Sequence, residues 1–189
     1  MKKIYLILFI FVFLFCKESV PLWSGKVKLP LIFKGDPPVS GTTENFSMES
    51  VAPNKTILII NFFAPGCPPC IDELPDLKTY YLEYKQKFPH VEFITVGSSL
   101  TSIDDSDTTD KETVKKDVLN FINEHNLSYP VYAAITKDLK EFNITGYPET
   151  FVFYKDKENK WYLRRKFISS VTKKELEEYS NFTEPSSIY

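Results

Sequence analysis

The chain has 189 residues, of which 43% are hydrophobic and 15% aromatic, so it can build the core of one domain without covalent staples. Its formal charge of −2 argues against a nucleic-acid partner, which favours a basic face. The sequence has only three cysteines, Cys16, Cys67 and Cys70, too few for a framework of structural disulfides.

The N-terminus has the pattern of an export signal over residues 1–16. Two lysines precede twelve uninterrupted apolar residues, Ile4 to Phe15, a run shorter than the ~20 residues of a membrane-spanning helix. Cys16 follows directly, which resembles a bacterial lipoprotein signal and predicts lipidation of Cys16, although Phe15 stands where that pattern has a small residue. An uncleaved short anchor and an ordinary cleaved signal remain alternatives. All three place the protein in the cell envelope of a bacterium, the first two tethered to the membrane.

The next segments predict a tether over 17–30 and one domain over 31–185. Pro21 and Ser24 lie in a polar stretch typical of a linker. Residues 31–33 and 42–48 predict a short hairpin. Residues 57–63 are apolar except for Asn61, as expected for a strand buried on both faces.

A helix is predicted directly after that strand. Its apolar stripe has spacings of four and three and consists of Cys70, Leu74, Leu77, Tyr81, Tyr84 and Phe88. Pro75 lies inside this helix and should kink it, because proline cannot donate a hydrogen bond to the Ile71 carbonyl.

The second half of the chain continues the alternation of strands and helices. A buried strand over 91–96 leads into an exposed loop over 98–110, and a capping box of Thr109 and Glu112 predicts the start of a helix. The core face of that helix consists of Val114, Val118, Phe121 and Ile122. Further elements are predicted as a strand within 129–134, helical turns at 136–142, a strand at 150–154, a hairpin loop at 156–159 and an edge strand at 161–167.

A last helix ends near Asn181. Thr172 and Glu175 form its capping box, and Val171 and Leu176 its hydrophobic staple. The order of elements predicts an α/β fold, with a mixed central sheet and helices on both faces.

Cys67 and Cys70 lie where the central strand gives way to a helix. Residues three apart on a helical turn have Cα atoms about 5–6 Å apart, within reach of a disulfide. Cys67 should cap the helix or open its first turn, where backbone N–H groups and the helix dipole lower the thiol pKa from ~8.5. Because Pro68 and Pro69 lack N–H groups, the Cys70 N–H is the expected donor to Cys67. We therefore expect Cys67 to be the exposed, attacking thiol and Cys70 the less exposed, resolving one.

Four motifs in this order resemble the thioredoxin superfamily, specifically the membrane-tethered TlpA/ResA-like thiol–disulfide oxidoreductases. The motifs are Asn61–Gly66 running into Cys67-Pro68-Pro69-Cys70, then Glu73-Leu74-Pro75, then Asn126–Val131, and finally Gly146-Tyr147-Pro148-Glu149-Thr150-Phe151. The resemblance covers residues 31 to 181 and implies a thioredoxin-like fold.

The resemblance also implies roles for individual residues. Pro148 corresponds to a cis proline that faces the disulfide, and Tyr147 before it would pair with an extended substrate segment. Glu73, three residues after the second cysteine, would manage the proton of Cys70, although an exposed helical glutamate is an equally good interpretation of that residue. Gly66 departs from the family, which usually has Trp there.

The implied function is dithiol–disulfide exchange with exported proteins through the redox-active pair Cys67 and Cys70, with no cofactor and no metal. The resemblance favours a reductant fed by a membrane thiol donor, possibly for cytochrome c maturation. An oxidant remains open, because potentials of thioredoxin-like motifs span about −270 to −120 mV.

Two other functions are less well supported. A peroxiredoxin-like peroxidase needs a threonine three residues before its cysteine, where this chain has Ala64. A metal-binding or chaperone module would have only His90 and His125 to complete a site with the two cysteines.

Overall fold

The computed structural model of the protein describes residues 28–35, 44–103 and 109–181, and within them no helix is long and apolar enough to cross a bilayer. The strands are β1 (Leu29–Phe33), β2 (Asn45–Phe46), β3 (Ile57–Phe63), β4 (Val91–Gly97), β5 (Val131–Ala133), β6 (Glu149–Lys155) and β7 (Trp161–Ile168). The helices are α1 (Pro68–Asp72), α2 (Leu74–Lys87), α3 (Lys111–Glu124), α4 (Thr136–Phe142) and α5 (Lys173–Ser180), with 3₁₀ turns at Met48–Ser50 and Leu100–Ile103.

The strands form one mixed sheet in the order β2-β1-β5-β4-β3-β6-β7. Strand β3 pairs in parallel with β4 along all seven of its residues and antiparallel with β6. All seven β3 residues are buried, as their composition predicts. The predicted edge strand is confirmed, because β7 lies at the end of the sheet and pairs only with β6 among the described strands.

Successive residues of β3 point to opposite faces of the sheet, and helices cover both faces. Leu58, Ile60 and Phe62 pack with Leu139 and Phe142 of α4. The opposite face of β3 packs against α2 and α5 through Ile57 and Ile59, and against α3 through Phe63. The predicted α/β architecture is therefore confirmed.

Several predicted elements are confirmed in detail. The core face of α3 is buried as predicted, and so is the hydrophobic staple of α5. Thr172 and Glu175 form the predicted capping box, in which each side chain accepts a hydrogen bond from the backbone N–H of the other residue. The predicted hairpin is present as the antiparallel pair β1–β2. Residues 36–43 of the connection between these strands lie outside the described residues.

Four predictions need correction. The helix around Pro75 is not merely kinked but divided, since α1 ends at Asp72 and α2 begins at Leu74. This break shifts the buried face, so Tyr80 is fully buried and Tyr81 only partly. The cap of α3 is Asp110 rather than Thr109, because the Asp110 carboxylate accepts from the N–H groups of residues 112 and 113. The predicted tether over 17–30 overlaps β1, whose Leu29 is buried.

The predicted signal over 1–16 with Cys16, the tether up to residue 27, the loop at 104–108 and the tail from Thr183 lie outside the described residues.

Candidate active site

Cys67 and Cys70 form a disulfide at the junction of β3 and α1, with their Cα atoms 5.3 Å apart. Cys67 is the N-cap of α1, and its Sγ accepts a hydrogen bond from the Cys70 N–H at 3.3 Å. The predicted position of the pair, its spacing and its donor are all confirmed. The prolines of α1 explain this contact, because neither Pro68 nor Pro69 has an N–H group.

The predicted exposure of Cys67 is wrong for this oxidised form. Cys67 is 3% exposed and Cys70 1%, so the predicted order holds but both residues are buried. Cys67 packs in a cluster with Phe63, Ala64 and Leu74, and its Sγ is bonded to Cys70. The strand-to-helix turn therefore covers the sulfur that the sequence led us to expect at the surface.

The predicted cis peptide bond between Tyr147 and Pro148 is confirmed. Pro148 is buried, and its carbonyl accepts a hydrogen bond from the Ser169 N–H at 3.2 Å. Tyr147 is partly buried and packs against the hydrophobic cluster that contains both cysteines. The segment that precedes β6 thus borders the same hydrophobic cluster as the two cysteines.

Glu73 lies at the break between α1 and α2 and is only 2% exposed, so it is not the exposed helical glutamate that was an alternative. One carboxylate oxygen accepts from Asn61 Nδ2 at 2.9 Å, and the other from the Val171 N–H at 2.9 Å. Burial raises the pKa of Glu73 to about 7, while these two hydrogen bonds act to lower it. A carboxyl group with a pKa near 7 takes up and releases protons at physiological pH.

Asn61 is a residue of the site to which the sequence analysis assigned no role. Its amide donates to Thr150 Oγ1 at 3.0 Å as well as to Glu73, and it is fully buried. The available signal was its isolation, since a single polar residue in a strand buried on both faces needs a hydrogen-bond partner.

The connection between β7 and α5 is a second feature that the sequence did not reveal. Ser169 binds the Pro148 carbonyl, the Ser170 hydroxyl donates to the Pro69 carbonyl at 2.9 Å, and the Val171 N–H binds Glu73. Three consecutive residues thus contact the cis-proline segment, the turn between the cysteines and the buried carboxylate. No pattern in the sequence predicts these contacts.

Glu149 directly follows the cis proline and is 0% exposed. Its carboxylate accepts from the Thr145 N–H at 3.1 Å and the Thr145 hydroxyl at 2.5 Å, and lies 2.9 Å from Lys166 Nζ. The same ammonium group donates to the Asn143 carbonyl at 2.8 Å, at the C-terminus of α4. Lys166 therefore connects both ends of the segment that contains Tyr147 and Pro148.

Gly66 has a φ of +77°, in the left-handed region that favours glycine. It borders an open groove of about 290 Å³ between the start of α1 and the side of α3. Because residue 66 is glycine and not the tryptophan usual in TlpA/ResA-like proteins, only backbone borders the groove at this position.

The two histidines considered for a metal site have different contacts. His90 binds the Ser180 carbonyl, whereas His125 packs on Phe121 at the end of α3. Within 28–35, 44–103 and 109–181, no three residues among His, Cys, Asp and Glu are grouped so as to hold a metal ion.

The sequence matches no protein-family model. It is 33% identical over 125 residues to the thiol-disulfide oxidoreductase ResA of Bacillus thuringiensis (strain Al Hakam), a match that covers 65% of this chain and 60% of ResA. The chain thus aligns with less than two thirds of that relative.

Solved structures with the same fold include StoA from Bacillus subtilis, with a TM-score of 0.55 and 22% identity over 82% of this chain and 98% of StoA. A secreted thiol-disulfide isomerase from Corynebacterium glutamicum has a TM-score of 0.55 and 17% identity, covering 82% of this chain and 81% of that one. These similarities establish the thioredoxin-like fold.

Proposed function

We propose that the chain is a thiol-disulfide oxidoreductase of the thioredoxin superfamily, related to ResA, and that it exchanges disulfides with protein substrates through Cys67 and Cys70. The observation that carries the proposal is the disulfide itself. It caps α1, its Cys67 sulfur accepts the Cys70 N–H, and the cis-proline segment packs against the same cluster of residues.

The reaction needs only these two sulfurs. In the reduced protein, the Cys67 thiolate attacks a substrate disulfide, forms a mixed disulfide and releases one substrate thiolate. The Cys70 thiolate then attacks Cys67 Sγ and releases the second substrate thiolate. The substrate gains two electrons, and the protein is left with the Cys67–Cys70 disulfide.

We assign to Glu73 the removal of the proton from Cys70 during the second step. Glu73 lies one helical turn beyond Cys70, and its pKa of about 7 makes its carboxylate an effective base near neutral pH. Tyr147 and Pro148 are the proposed contact for the substrate backbone, since they directly precede β6 and Tyr147 packs against the cluster that contains both cysteines.

Single cysteine substitutions test the mechanism. Cys67→Ser should abolish exchange, whereas Cys70→Ser should accumulate mixed disulfides, because the resolving thiol is missing. Full activity of Cys67→Ser in the reduction of a disulfide substrate would refute the proposal.

We propose further that the protein is a reductant and that a membrane thiol donor reduces it again. A role in cytochrome c maturation is part of this proposal. The equilibrium reduction potential against a thiol buffer tests this direction. A value near −270 mV supports a reductant, and a value near −120 mV contradicts it.

The proposed location is the bacterial cell envelope, with the N-terminus tethered to the membrane through lipidated Cys16. The basic and apolar start of the sequence supports export. Mass spectrometry of the mature N-terminal peptide tests the tether, and an unmodified Cys16 in that peptide would contradict lipidation.

A further inference from the structure

A groove is lined by Gly66, the residue before Cys67, and by Ile71, the residue after Cys70, and we call it the Gly66 groove. One wall is the backbone that leads into Cys67 together with the side chain of Ile71, and the other wall is α3. Its lining consists of Pro65, Gly66 and Ile71 on the first wall and of Asp117, Asn120, Phe121, Glu124 and His125 on the second. With a volume of about 290 Å³, the groove has room for one long side chain of a bound polypeptide.

The backbone conformation of Gly66 disfavours a side chain at this position of the wall. A β-carbon added at Gly66 would have its nearest neighbour, Leu100 Cδ1, at 3.6 Å, so contacts alone do not exclude a side chain. The φ of +77° does disfavour one, because L-residues rarely adopt it. The glycine thus leaves the groove without a side chain at the position that precedes Cys67.

The rim of the groove is acidic. Asp117, Asn120 and Glu124 recur at spacings of three and four on α3 and therefore lie on one face of the helix. Asp117 and Glu124 are exposed, and the described lining contains two carboxylates and no lysine or arginine. One cation adjoins this lining, Lys78, whose ammonium donates to the carbonyl of the lining residue His125 at 2.6 Å. The charge of the groove therefore complements a cation.

The base of the groove suits the rest of such a side chain. Ile71 is 37% exposed and contributes apolar surface to the same lining as the two carboxylates. Lysine and arginine place their methylene groups on apolar surface while the charged end remains at a polar rim. A side chain that extends from a substrate residue next to the attacked cysteine would pass over Ile71 and end at Asp117 or Glu124.

We propose that the Gly66 groove binds a lysine or arginine side chain of the substrate, next to the cysteine that Cys67 attacks. The proposal rests on the proposed exchange activity and adds to it a preference for disulfides flanked by basic residues.

Matched peptides test this preference. Each peptide has one intramolecular disulfide and differs only in the residue beside the attacked cysteine, which is Lys, Gln or Glu. The second-order rate constant of the reduced full-length protein should fall in the order Lys, Gln, Glu, with about a fivefold difference between Lys and Glu at low salt. The difference should shrink as the salt concentration rises.

Two double variants separate the groove from the net charge. Asp117→Asn with Glu124→Gln should bring the three rate constants within about twofold of each other. Glu141→Gln with Glu178→Gln removes the same charge from exposed positions on α4 and α5 and should preserve the full preference. All four substitutions are at exposed positions, and circular dichroism checks that each variant is folded.

The outcomes distinguish this proposal from the proposed function. Equal rates for the Lys and Glu peptides, or an equal loss of preference in the control variant, would overturn the role of the groove and leave the exchange activity in place. Failure of the reduced protein to react with any of the three peptides would overturn the exchange activity itself.

Discussion

The backbone N–H of Val171 donates to the carboxylate of Glu73 at 2.9 Å, although the two residues are 98 positions apart in the sequence. This bond joins the start of α5 to the break between α1 and α2. It gives a buried carboxylate a fixed donor that does not depend on the protonation of any side chain, and it acts to lower the Glu73 pKa against the larger effect of burial.

Glu73 should make the stability of the oxidised protein depend on pH. Its pKa is about 7 in the folded protein and 4.5 for an unperturbed glutamate, so the folded state binds the proton more tightly. The protonated carboxyl group therefore adds up to roughly 3 kcal/mol to the free energy of unfolding. This contribution is fully present below pH 4.5 and is lost as the pH rises through about 7. Urea unfolding of wild type and Glu73→Gln at pH 5 and pH 8 measures it.

The quantity to compare is the loss of free energy of unfolding between pH 5 and pH 8. Wild type should lose more stability than Glu73→Gln between the two pH values, because glutamine does not titrate. Equal losses in the two proteins would show that Glu73 has an ordinary pKa in the folded state.

Asn61→Leu should destabilise the fold by about 1–3 kcal/mol, because it removes one of the two buried donors to Glu73 and the amide that donates to Thr150. It should also raise the pKa of Glu73 further, since the Asn61 hydrogen bond acts to lower it. An NMR titration of the Glu73 side-chain carboxyl carbon measures the second effect. A Glu73 pKa that falls in the variant would contradict the role of Asn61 as a donor to the carboxylate.

Lys166→Met should destabilise the protein by about 3–5 kcal/mol, because it leaves the fully buried Glu149 carboxylate without its counter-ion. The double variant with Glu149→Gln should be less destabilised than the sum of the two single variants, and a double-mutant cycle measured by chemical denaturation gives the coupling. Lys160→Met is the control, since its ion pair with Glu158 is exposed and should contribute less than 1 kcal/mol. Strict additivity of Lys166→Met and Glu149→Gln would rule out the coupling.

Gly97→Ala should destabilise the fold by about 1–3 kcal/mol through overpacking. A β-carbon at this position would lie 2.6 Å from Val118 Cγ1 and 3.0 Å from Phe63 Cζ, both in the core. The Val118→Ala substitution should cost less stability in the Gly97→Ala background than in wild type. Gly146→Ala is the matched control, since its β-carbon would meet nothing within 4 Å, and thermal unfolding should show no loss of stability there.

The sequence predicts those features that depend on neighbouring residues. The position of Cys67 as an N-cap and the Cys70 N–H as its donor follow from the two prolines between them. The buried face of α3 follows from its apolar spacing. The cis bond before Pro148 was expected from the family resemblance rather than from local chemistry.

The features that could not be predicted depend on contacts between distant segments. Glu73 is buried because Asn61 and Val171 meet there from two other elements, and Glu149 is buried because Lys166 reaches it from β7. The burial of Cys67 likewise depends on the tertiary cluster around the turn. Residue spacing along the chain gives no information about such convergence.

The burial of the Cys67–Cys70 disulfide affects how fast small thiols can reduce it. Free low-molecular-weight thiols that diffuse past the oxidised protein encounter almost no sulfur surface, since Cys67 is only 3% exposed. Their uncatalysed reaction with this disulfide should therefore be slow, because exchange requires access of the attacking thiolate to a sulfur atom. Because both cysteines are buried, reduction of the oxidised protein by any thiol should require the strand-to-helix turn to expose a sulfur first.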